Sequence, residues 1–464
     1  MQACVIRTGD VVEDVFEAPE TVPEDRHDAA SPNVTPALLL VGSAFQGGAI
    51  DLPRVVRLRE ALEVGRLHGT VAKRPESRLN LGDKVLSRIH FQLRPVPGGW
   101  EGEDAGSLNG TYVDGRRLEG RARLAEGSLL FFGGHAAVFR RVSEDALRAI
   151  AEDEASPFGP VRTVSPILAT TIWRLRRLAR HGAEVLITGE TGVGKEVYAR
   201  AIHRASGRRG RFVAINCAAI PAELAESELF GYVRGAHSTA NAAKPGLIQA
   251  AEGGTLFLDE IGDMSPRLQA KLLRFLQDRE ISPLGSTAPQ RVDVQIVAAT
   301  NNAGAGSDLR ADLAARLGSQ AIRLPPLRDR IEDLGALVHH FLTLDGRAAP
   351  EIEPAAFHVL CNYAWPRNVR ELEKVIEEAV ALAEGDTHLK LAHLPALAAT
   401  MVPSAPQRAG SIARRLSPTR GELVALLEQH AGNVSEVARS LDRRWGVVWR
   451  WMRKHGVDPN EFRT

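Results

Sequence analysis

A glycine-rich loop between a predicted strand and a predicted helix has the composition of a phosphate-binding site. The stretch EVLITGETGVGKEVYARAIH starts with the apolar run Val185–Thr188 and takes on a helical pattern after Lys195. Glycines let backbone N–H groups approach phosphate oxygens, and the helix N-terminus adds a favourable dipole. Lys195 would reach the β- and γ-phosphates of a nucleotide. The predicted nucleotide-binding residues of this loop are Gly189, Glu190, Thr191, Gly192, Val193, Gly194, Lys195 and Glu196.

The last position of this loop departs from the general phosphate-loop pattern. Glu196 follows the lysine where Ser or Thr is usual, so one common magnesium ligand is missing. The alternative interpretation is a glycine-rich turn that merely precedes an ordinary helix.

A pair of acidic residues favours the nucleotide site over that alternative. The stretch GGTLFLDEIGDM contains the apolar run Thr255–Leu258, followed at once by Asp259 and Glu260. Asp259 would hold Mg²⁺ through its water shell, and Glu260 would orient or deprotonate an attacking water. The combined patterns predict an ATPase that uses ATP and Mg²⁺.

The elements that must position these residues alternate between strand-like and helix-like segments. Two more predicted strands are VDVQIVAAT, which ends at Asn301, where a polar side chain could sense the γ-phosphate, and RFVAINC, which ends in Asn216. This alternation predicts an α/β domain over 161–327, and the mostly helical pattern of 328–398 predicts a helical lid.

Composition restricts the class of protein. The 464 residues suggest about three domains, and 25% charged with 44% hydrophobic residues is typical of a globular protein. A net charge of +1 gives no global signal for nucleic acid or membrane. Three widely spaced cysteines fit a reducing compartment, and no apolar run is long enough to span a bilayer. We therefore predict a cytoplasmic protein that does not contact a membrane.

The remaining segments differ clearly in amino-acid composition and pattern. Eight acidic and two basic residues make 1–35 a predicted disordered tail, whereas short apolar runs between Gly and Asp turns predict an all-β sandwich over 36–141. The last segment, 418–464, is short and helical. Two predicted linkers separate these domains from the ATPase, at 142–160 and 399–417.

Seven motifs, taken together over residues 161–398, carry a family resemblance. They are GETGVGKE, FVAINCAAI, ESELFG, GGTLFLDEI, VDVQIVAATN, LPPLRDRIEDL and WPRNVREL. Their order and spacing resemble the AAA+ domain of bacterial enhancer-binding proteins, the sigma-54-dependent transcription activators. The resemblance accounts for Glu196, because that family usually has Glu there. It implies an AAA+ ATPase that assembles from a dimer into a hexameric ring.

The resemblance also implies roles for single residues. Asn216 is similar to the switch residue that holds the catalytic Glu260, Asn301 to the γ-phosphate sensor, and Arg370 to the sensor arginine of the lid. Arg310 and Arg316, in LRADLAARL, resemble arginines offered to the ATP of the neighbouring subunit. A solvated helix face is the alternative for these arginines.

The stretch GYVRGAHSTANAAKPG lies between the two ATP motifs. The resemblance places there a loop whose tip, Gly-Ala-Phe-Thr-Gly-Ala in the family, contacts sigma-54. The matching residues are Gly235, Ala236, His237, Ser238, Thr239 and Ala240. His237 replaces the aromatic contact residue, and Thr239 is stiffer than the glycine it replaces. Either this is a tolerated variant, or the AAA+ domain only switches the oligomeric state of a DNA-binding regulator or scaffold.

The C-terminal segment has a helix-turn-helix pattern. Ten basic and six acidic residues between Ser411 and Thr464 leave an excess of four positive charges, which suits phosphate contact. The pattern resembles the Fis-type DNA-binding domain and implies enhancer-like DNA sites as partners. The alternative is a helical dimerisation bundle. The predicted DNA-contacting residues are Arg444, Arg450, Arg453 and Lys454.

The N-terminal β-domain has its own signature in EVGRL, LSRIH and DAGSLNGTYVDG, which together resemble a forkhead-associated domain. Such domains bind phosphothreonine peptides, so the partner would be a phosphothreonine protein or a Ser/Thr kinase. Arg66 would pair with the phosphate, because a guanidinium suits phosphate geometry. Ser87 and Arg88 would contact the phosphate region, and Asn109 would hold the peptide backbone. His90 would organise the loops. The alternative is a degenerate domain kept for intramolecular packing.

Overall fold

The computed structural model describes most of the chain up to residue 397 and a smaller part after it. The described residues are 34–49, 54–66, 78–236, 242–301, 309–318, 321–344, 346, 348–384, 386–395, 397, 420–430, 437, 448, 451, 452, 455 and 457. The predicted tail and the linker 399–417 lie outside them almost entirely. In the described ranges no helix is long and apolar enough to cross a membrane.

The N-terminal domain is a sandwich of two sheets, which confirms the all-β prediction. Its six-stranded sheet has the order β2-β1-β11-β10-β7-β8 and its five-stranded sheet the order β4-β3-β5-β6-β9. The strands are β1 (Val34–Ser43), β2 (Val55–Arg57), β3 (Leu62–Gly65), β4 (Arg78–Asn80), β5 (Phe91–Val96), β6 (Gly99–Asp104), β7 (Thr111–Val113), β8 (Arg116–Arg117), β9 (Arg121–Leu124), β10 (Leu129–Phe132) and β11 (His135–Ser143).

Strand β1 is buried on both faces, as its unbroken apolar run requires. Leu38 and Leu40 point into the sandwich core with Phe91 and Phe132. Alternate residues of the strand face the other way, and Leu39 packs against the helix that follows the sandwich.

That helix, α1 (Glu144–Ala155), lies within the range 142–160 that the sequence pattern predicts as a linker. The hydroxyl of Ser143 accepts a hydrogen bond from the Ala146 amide at its N-terminus. Two acidic residues in the first turn favour the helix dipole. The helix buries Leu147 and Ile150 against β1 and β11. The segment is therefore folded, and the SEDALRAIAE pattern carried a helix-start signal.

The ATPase domain is built on a parallel sheet with the order β13-β16-β19-β12-β20, which confirms the α/β prediction. Apolar cores cover both faces of the sheet. The elements are α2 (Pro166–Arg180), β12 (Val185–Thr188), α3 (Lys195–Ser206), β13 (Phe212–Asn216), α4 (Ala222–Phe230), β14 (Gly231–Tyr232), β15 (Lys244–Pro245), α5 (Leu247–Ala250), β16 (Thr255–Asp259), α6 (Pro266–Asp278), β17 (Glu280–Ile281), β18 (Gln290–Arg291), β19 (Gln295–Thr300), α7 (Ala311–Leu317) and β20 (Ile322–Arg323). Because parallel strands end at one edge, their C-terminal polar residues meet there.

The lid begins with the turn Leu327–Asp333 and packs against the β-domain. Its elements are α8 (Leu334–Leu342), β21 (Glu351–Ile352), α9 (Pro354–Asn362), α10 (Asn368–Leu382) and β22 (His388–Leu389). Phe131 of β10 and Val138 of β11 share one apolar core with Phe357 and Trp365 of the lid. The two backbones come so close that a Cβ at Gly335 would lie 2.3 Å from the Gly48 carbonyl oxygen.

Residues Thr400–Thr464 form a separate unit. A helix spans Arg420–Gln429, and an apolar cluster includes Leu423, Leu427, Val448 and Met452. The predicted DNA-contacting residues Arg444, Arg450, Arg453 and Lys454 lie outside the described residues.

Candidate nucleotide site and peptide-binding edge

The loop between β12 and α3 has the backbone that a phosphate cradle needs. Gly189, Gly192 and Gly194 all have positive φ, at 155°, 80° and 103°. A Cβ at Gly192 would lie 2.2 Å from the carbonyl oxygen of Arg367, so a side chain is excluded there. Helix α3 begins at Lys195 and directs its first amides toward the loop.

Lys195 is buried and is the centre of a polar cluster at the strand edge. Its Nζ donates to the Gly189 carbonyl at 3.0 Å and to Oδ1 of Asn301, and lies 3.6 Å from Oε1 of Glu260. The Asn301 amide donates to Oε2 of Glu260 at 3.2 Å. Three residues predicted from separate motifs are thus brought together by two hydrogen bonds and one ion pair.

The two acidic residues at the end of β16, Asp259 and Glu260, differ from each other in backbone conformation and in electrostatic environment. Glu260 has a left-handed backbone with φ of 51°, and its amide donates to the Asp259 carboxylate at 3.1 Å. Burial raises the pKa of Asp259, against the opposing effect of Lys195. The charged form of a half-buried carboxylate of this kind is favoured by a nearby cation, which fits a Mg²⁺ ion in the adjoining cavity.

A cavity of about 430 Å³ opens beside this cluster. Its predicted lining residues include Asn216, Asp259, Glu260 and Arg370. Other lining residues are not in the sequence-based set, namely Pro160, Val161, Arg162, Thr163, Leu168, Val197, Tyr198, Arg330, Asp333, Leu337, His340, Phe341, Leu344, Val369 and Glu373. The first four lie at the predicted boundary between linker and ATPase, and no local motif marks them as site residues.

Asn216 and Arg370 lie in the cavity wall with different partners. Oδ1 of Asn216 accepts the Ala218 amide at 2.9 Å, and within the described ranges no hydrogen bond joins Asn216 to Glu260. The Arg370 amide donates to the Gly192 carbonyl at 3.3 Å, which attaches the lid to the phosphate loop. Glu196 pairs with Arg200 at 2.6 Å on the exposed side of α3.

Glu190 has partners that the sequence motifs do not indicate. Its carboxylate accepts two hydrogen bonds from Arg328, at 2.8 and 2.5 Å, and one from Nδ2 of Asn368 at 3.1 Å. These bonds lower the pKa of Glu190 to about 2, and the hydrogen bonds from the Arg328 guanidinium are the largest cause. Asn368 also donates to the Thr191 carbonyl at 3.1 Å. The lid therefore holds the phosphate loop through side chains as well as backbone.

The two predicted finger arginines lie away from the cavity of their own chain. Arg310 precedes α7 and pairs with Asp312 at 2.7 Å, with both side chains about half exposed. Arg316 lies in the last turn of α7 and donates to the Leu276 carbonyl at 3.1 Å.

The four predicted peptide-binding residues belong to loops at one edge of the sandwich. The Arg66 amide donates to the Ser87 carbonyl at 2.9 Å, and Nδ2 of Asn109 donates to the Val85 carbonyl at 2.9 Å. A Cβ at Gly65 would lie 2.3 Å from the Arg88 carbonyl oxygen, which explains why glycine precedes Arg66.

Two neighbours complete this edge. His90 is buried between the loops, where its ring contacts the Ser87 amide at 3.3 Å and the Gly110 carbonyl at 3.2 Å, as expected for a loop organiser. Leu108 is 87% exposed beside Ser87 and Asn109.

The base of the predicted sigma-contact loop is described and its tip is not. Strands β14 and β15 pair at the base, and the Val233 amide donates to the Leu284 carbonyl at 3.0 Å. Gly235 and Ala236 belong to the described residues, whereas His237, Ser238, Thr239 and Ala240 lie outside them.

Comparisons with known proteins agree with this architecture. The sigma-54 interaction domain matches residues 161–323, an AAA+ ATPase lid domain 328–411, and an FHA domain 62–133. The AAA+ matches confirm the prediction of an ATPase. A crystal structure of NtrX from Brucella abortus in complex with ADP is similar, with a TM-score of 0.48 and 32% identity over 66% of this chain and 72% of that chain.

Two curated relatives come from Escherichia coli (strain K12). A protein named as a sigma-54-dependent transcriptional regulator, UacR, is 52% identical over 216 residues, which are 44% of this chain and only 36% of UacR. The transcriptional regulatory protein GlrR is 37% identical over 348 residues, which are 69% of this chain and 76% of GlrR. The extent of this second match, with the sigma-54 interaction domain, shows that the chain belongs to the sigma-54-dependent transcriptional regulators.

Proposed function

We propose that the chain hydrolyses ATP at the C-terminal edge of the parallel sheet and uses this energy to remodel sigma-54 RNA polymerase. It would do so while bound to an enhancer-like DNA site, in the cytoplasm. The observation that carries the proposal is the cluster of Lys195, Asn301 and Glu260 beside the cavity. It joins the residue types needed to bind phosphate, to sense the γ-phosphate and to activate water.

In this proposal each residue has a distinct task. Lys195 and the loop amides bind the β- and γ-phosphates, and Glu260 orients the attacking water and accepts its proton. Asn301 holds Glu260 through its amide and faces the γ-phosphate with its side chain. Asp259 would hold Mg²⁺, which when bound neutralises charge on the phosphates.

The arginines of α7 support hydrolysis between subunits. Arg310 and Arg316 lie outside the cavity of their own chain, so they are available to a second copy. We propose that they stabilise charge on the phosphoryl group bound by the neighbouring subunit, which makes turnover depend on ring assembly.

Control is proposed to come from the N-terminal domain through recognition of phosphothreonine at the edge formed by Arg66, Ser87, Arg88 and Asn109. DNA contact is proposed for the basic C-terminal segment. The alternative, an AAA+ domain that switches only the oligomeric state, rests on the unusual residues of the sigma-contact loop.

Co-elution of the full chain with sigma-54, with and without ADP plus a metal fluoride, tests the proposal. We expect a complex that requires the nucleotide mixture, and none with K195A. A triple variant, H237F with S238T and T239G, restores the family residues and is the positive control. ATP turnover by the natural chain, with a complex formed only by the triple variant, would instead support the alternative.

A further inference from the structure

Arg54, which precedes β2 of the β-domain, extends into the ATPase. Its Nε donates to the Leu40 carbonyl of β1 at 3.2 Å. Its Nη1 donates to the Arg162 carbonyl at 3.2 Å, and its Nη2 donates to the Glu332 carbonyl. One guanidinium thus joins three segments that are widely separated along the chain, and its side chain is only 13% exposed.

The acidic partners of the β-domain arginines are buried. The Glu332 side chain is fully buried and Asp333 is nearly so. Nη2 of Arg140, on β11, lies 3.2 Å from the Glu332 carboxylate, and Nη2 of Arg54 lies 3.8 Å from the Asp333 carboxylate. Buried carboxylates need cations within reach, because an unpaired buried charge is strongly destabilising. Here the β-domain supplies those cations.

Asp333 connects this contact to the nucleotide cavity. Its carboxylate accepts the Thr163 hydroxyl at 2.6 Å and the Val164 amide at 2.9 Å. Arg162, Thr163 and Asp333 all line the cavity, in a wall formed by the segment before α2 and the end of the turn Leu327–Asp333. Arg54 therefore contacts both halves of that wall, through the Arg162 carbonyl and the Asp333 carboxylate.

The same turn, Leu327–Asp333, also reaches the phosphate loop. Arg328 pairs with Glu190, and Nη2 of Arg330 donates to the Val193 carbonyl at 3.0 Å. The turn thus touches both the phosphate loop and the β-domain.

We infer that Arg54 is a positioning residue of the ATP site, so that the β-domain completes the nucleotide-binding wall. This inference rests on the proposed ATP site. Arg54 acts on the wall formed by Arg162 and Thr163, whereas Lys195 and Glu260 belong to the cluster that would bind the phosphates and activate water. Its removal should therefore weaken nucleotide binding and raise KM, and leave kcat of the assembled enzyme nearly unchanged.

The test uses the full chain and titration with ADP by calorimetry, followed by steady-state ATP turnover. We expect R54A to bind ADP about tenfold more weakly, with a similar rise in KM. R54K, which keeps the charge near Asp333, should recover part of the loss. R57A is the matched control, because the ion pair between Arg57 and Glu144 is about half exposed.

A second variant covers the outcome in which R54A fails to fold. T163V removes the hydroxyl that donates to Asp333 and keeps the side-chain shape, and we expect it to weaken ADP binding as well. If both substitutions act through Asp333, the loss of ADP-binding free energy in the double variant should be smaller than the sum of the losses in the two single variants. The inference would be overturned if R54A bound ADP with the same affinity as R57A and differed only in a lower Tm. Failure of the natural chain to bind ADP would instead contradict the proposed function.

Discussion

The carboxylate of Glu190 in the phosphate loop and the guanidinium of Arg328 in the lid face each other through two hydrogen bonds, at 2.8 and 2.5 Å. Asn368 adds a third bond to the same carboxylate. Since Arg328 and Asn368 belong to the lid, the position of the lid and the shape of the phosphate loop are tied together.

Replacing Glu190 by Gln should therefore weaken nucleotide binding more than it lowers stability. The ion pair is about 40% exposed, so we expect the free energy of unfolding to fall by less than about 1 kcal/mol. We expect ADP affinity to fall by about fivefold, because a neutral amide accepts only one of the two Arg328 bonds. E377Q, in an exposed pair with Lys374 on α10, should change neither quantity. A Tm loss without an affinity loss would contradict this link.

Complementation between variants tests hydrolysis across a subunit interface. R316A should bind ATP but turn it over at least about tenfold more slowly, because its neighbour lacks the arginine. E260Q should lose at least about 100-fold in kcat, since it lacks the base. In a mixture, Glu260 from R316A and Arg316 from E260Q meet in one site, so phosphate release should exceed that of either variant alone.

The control for that mixture is a chain that carries both substitutions, R316A and E260Q, mixed with either single variant. Neither of these control mixtures contains a site with both Glu260 and Arg316, because one mixture lacks Arg316 and the other lacks Glu260. Their turnover should therefore not exceed that of the single variants. Equal turnover in all mixtures would contradict a trans role for Arg316.

The junction between the β-domain and the lid should be sensitive to acid through His358. Its ring lies 4.6 Å from the Phe131 ring and 5.7 Å from the Tyr112 ring, and burial lowers the pKa of His358. The unfolded chain binds a proton near pH 6.5, whereas the folded chain resists it, so the free energy of unfolding falls as pH drops below that value. H358F should remove this share of the pH dependence, as measured by urea unfolding between pH 7.5 and 5.5.

The control for that measurement is H388F, because His388 lies half exposed beside Glu351. An equal change in H358F and H388F would show that the junction does not carry the effect.

Arg66 should decide binding of phosphorylated peptides. We expect R66A to lose at least about tenfold in affinity for a phosphothreonine peptide, because charge-assisted bonds to phosphate are strong. An exposed arginine of the same domain, Arg121, gives the control R121A, which should bind normally. Fluorescence anisotropy with phosphorylated and unphosphorylated peptides checks both. Equal binding of the two peptides by the natural chain would contradict phosphothreonine recognition.

Local patterns in the sequence determined much of this protein. The glycines before Lys195, the acids after β16 and the apolar runs of the sandwich are short-range signals, because strand ends and tight turns restrict residue types locally. Their order along the chain was enough to predict an all-β domain, an α/β ATPase and a lid. The helix at Glu144–Ala155 carried a signal of the same kind, which its charged composition obscured.

Only the tertiary structure decided which distant residues meet. Arg328 lies 138 positions from Glu190, and Arg54 lies 278 positions from Glu332, so neither pair has a periodicity or a spacing that sequence reasoning can use. An arginine on a surface strand and one that enters a buried acidic contact have the same local pattern. Burial depends on which two surfaces pack, and here the sandwich and the lid share one apolar core.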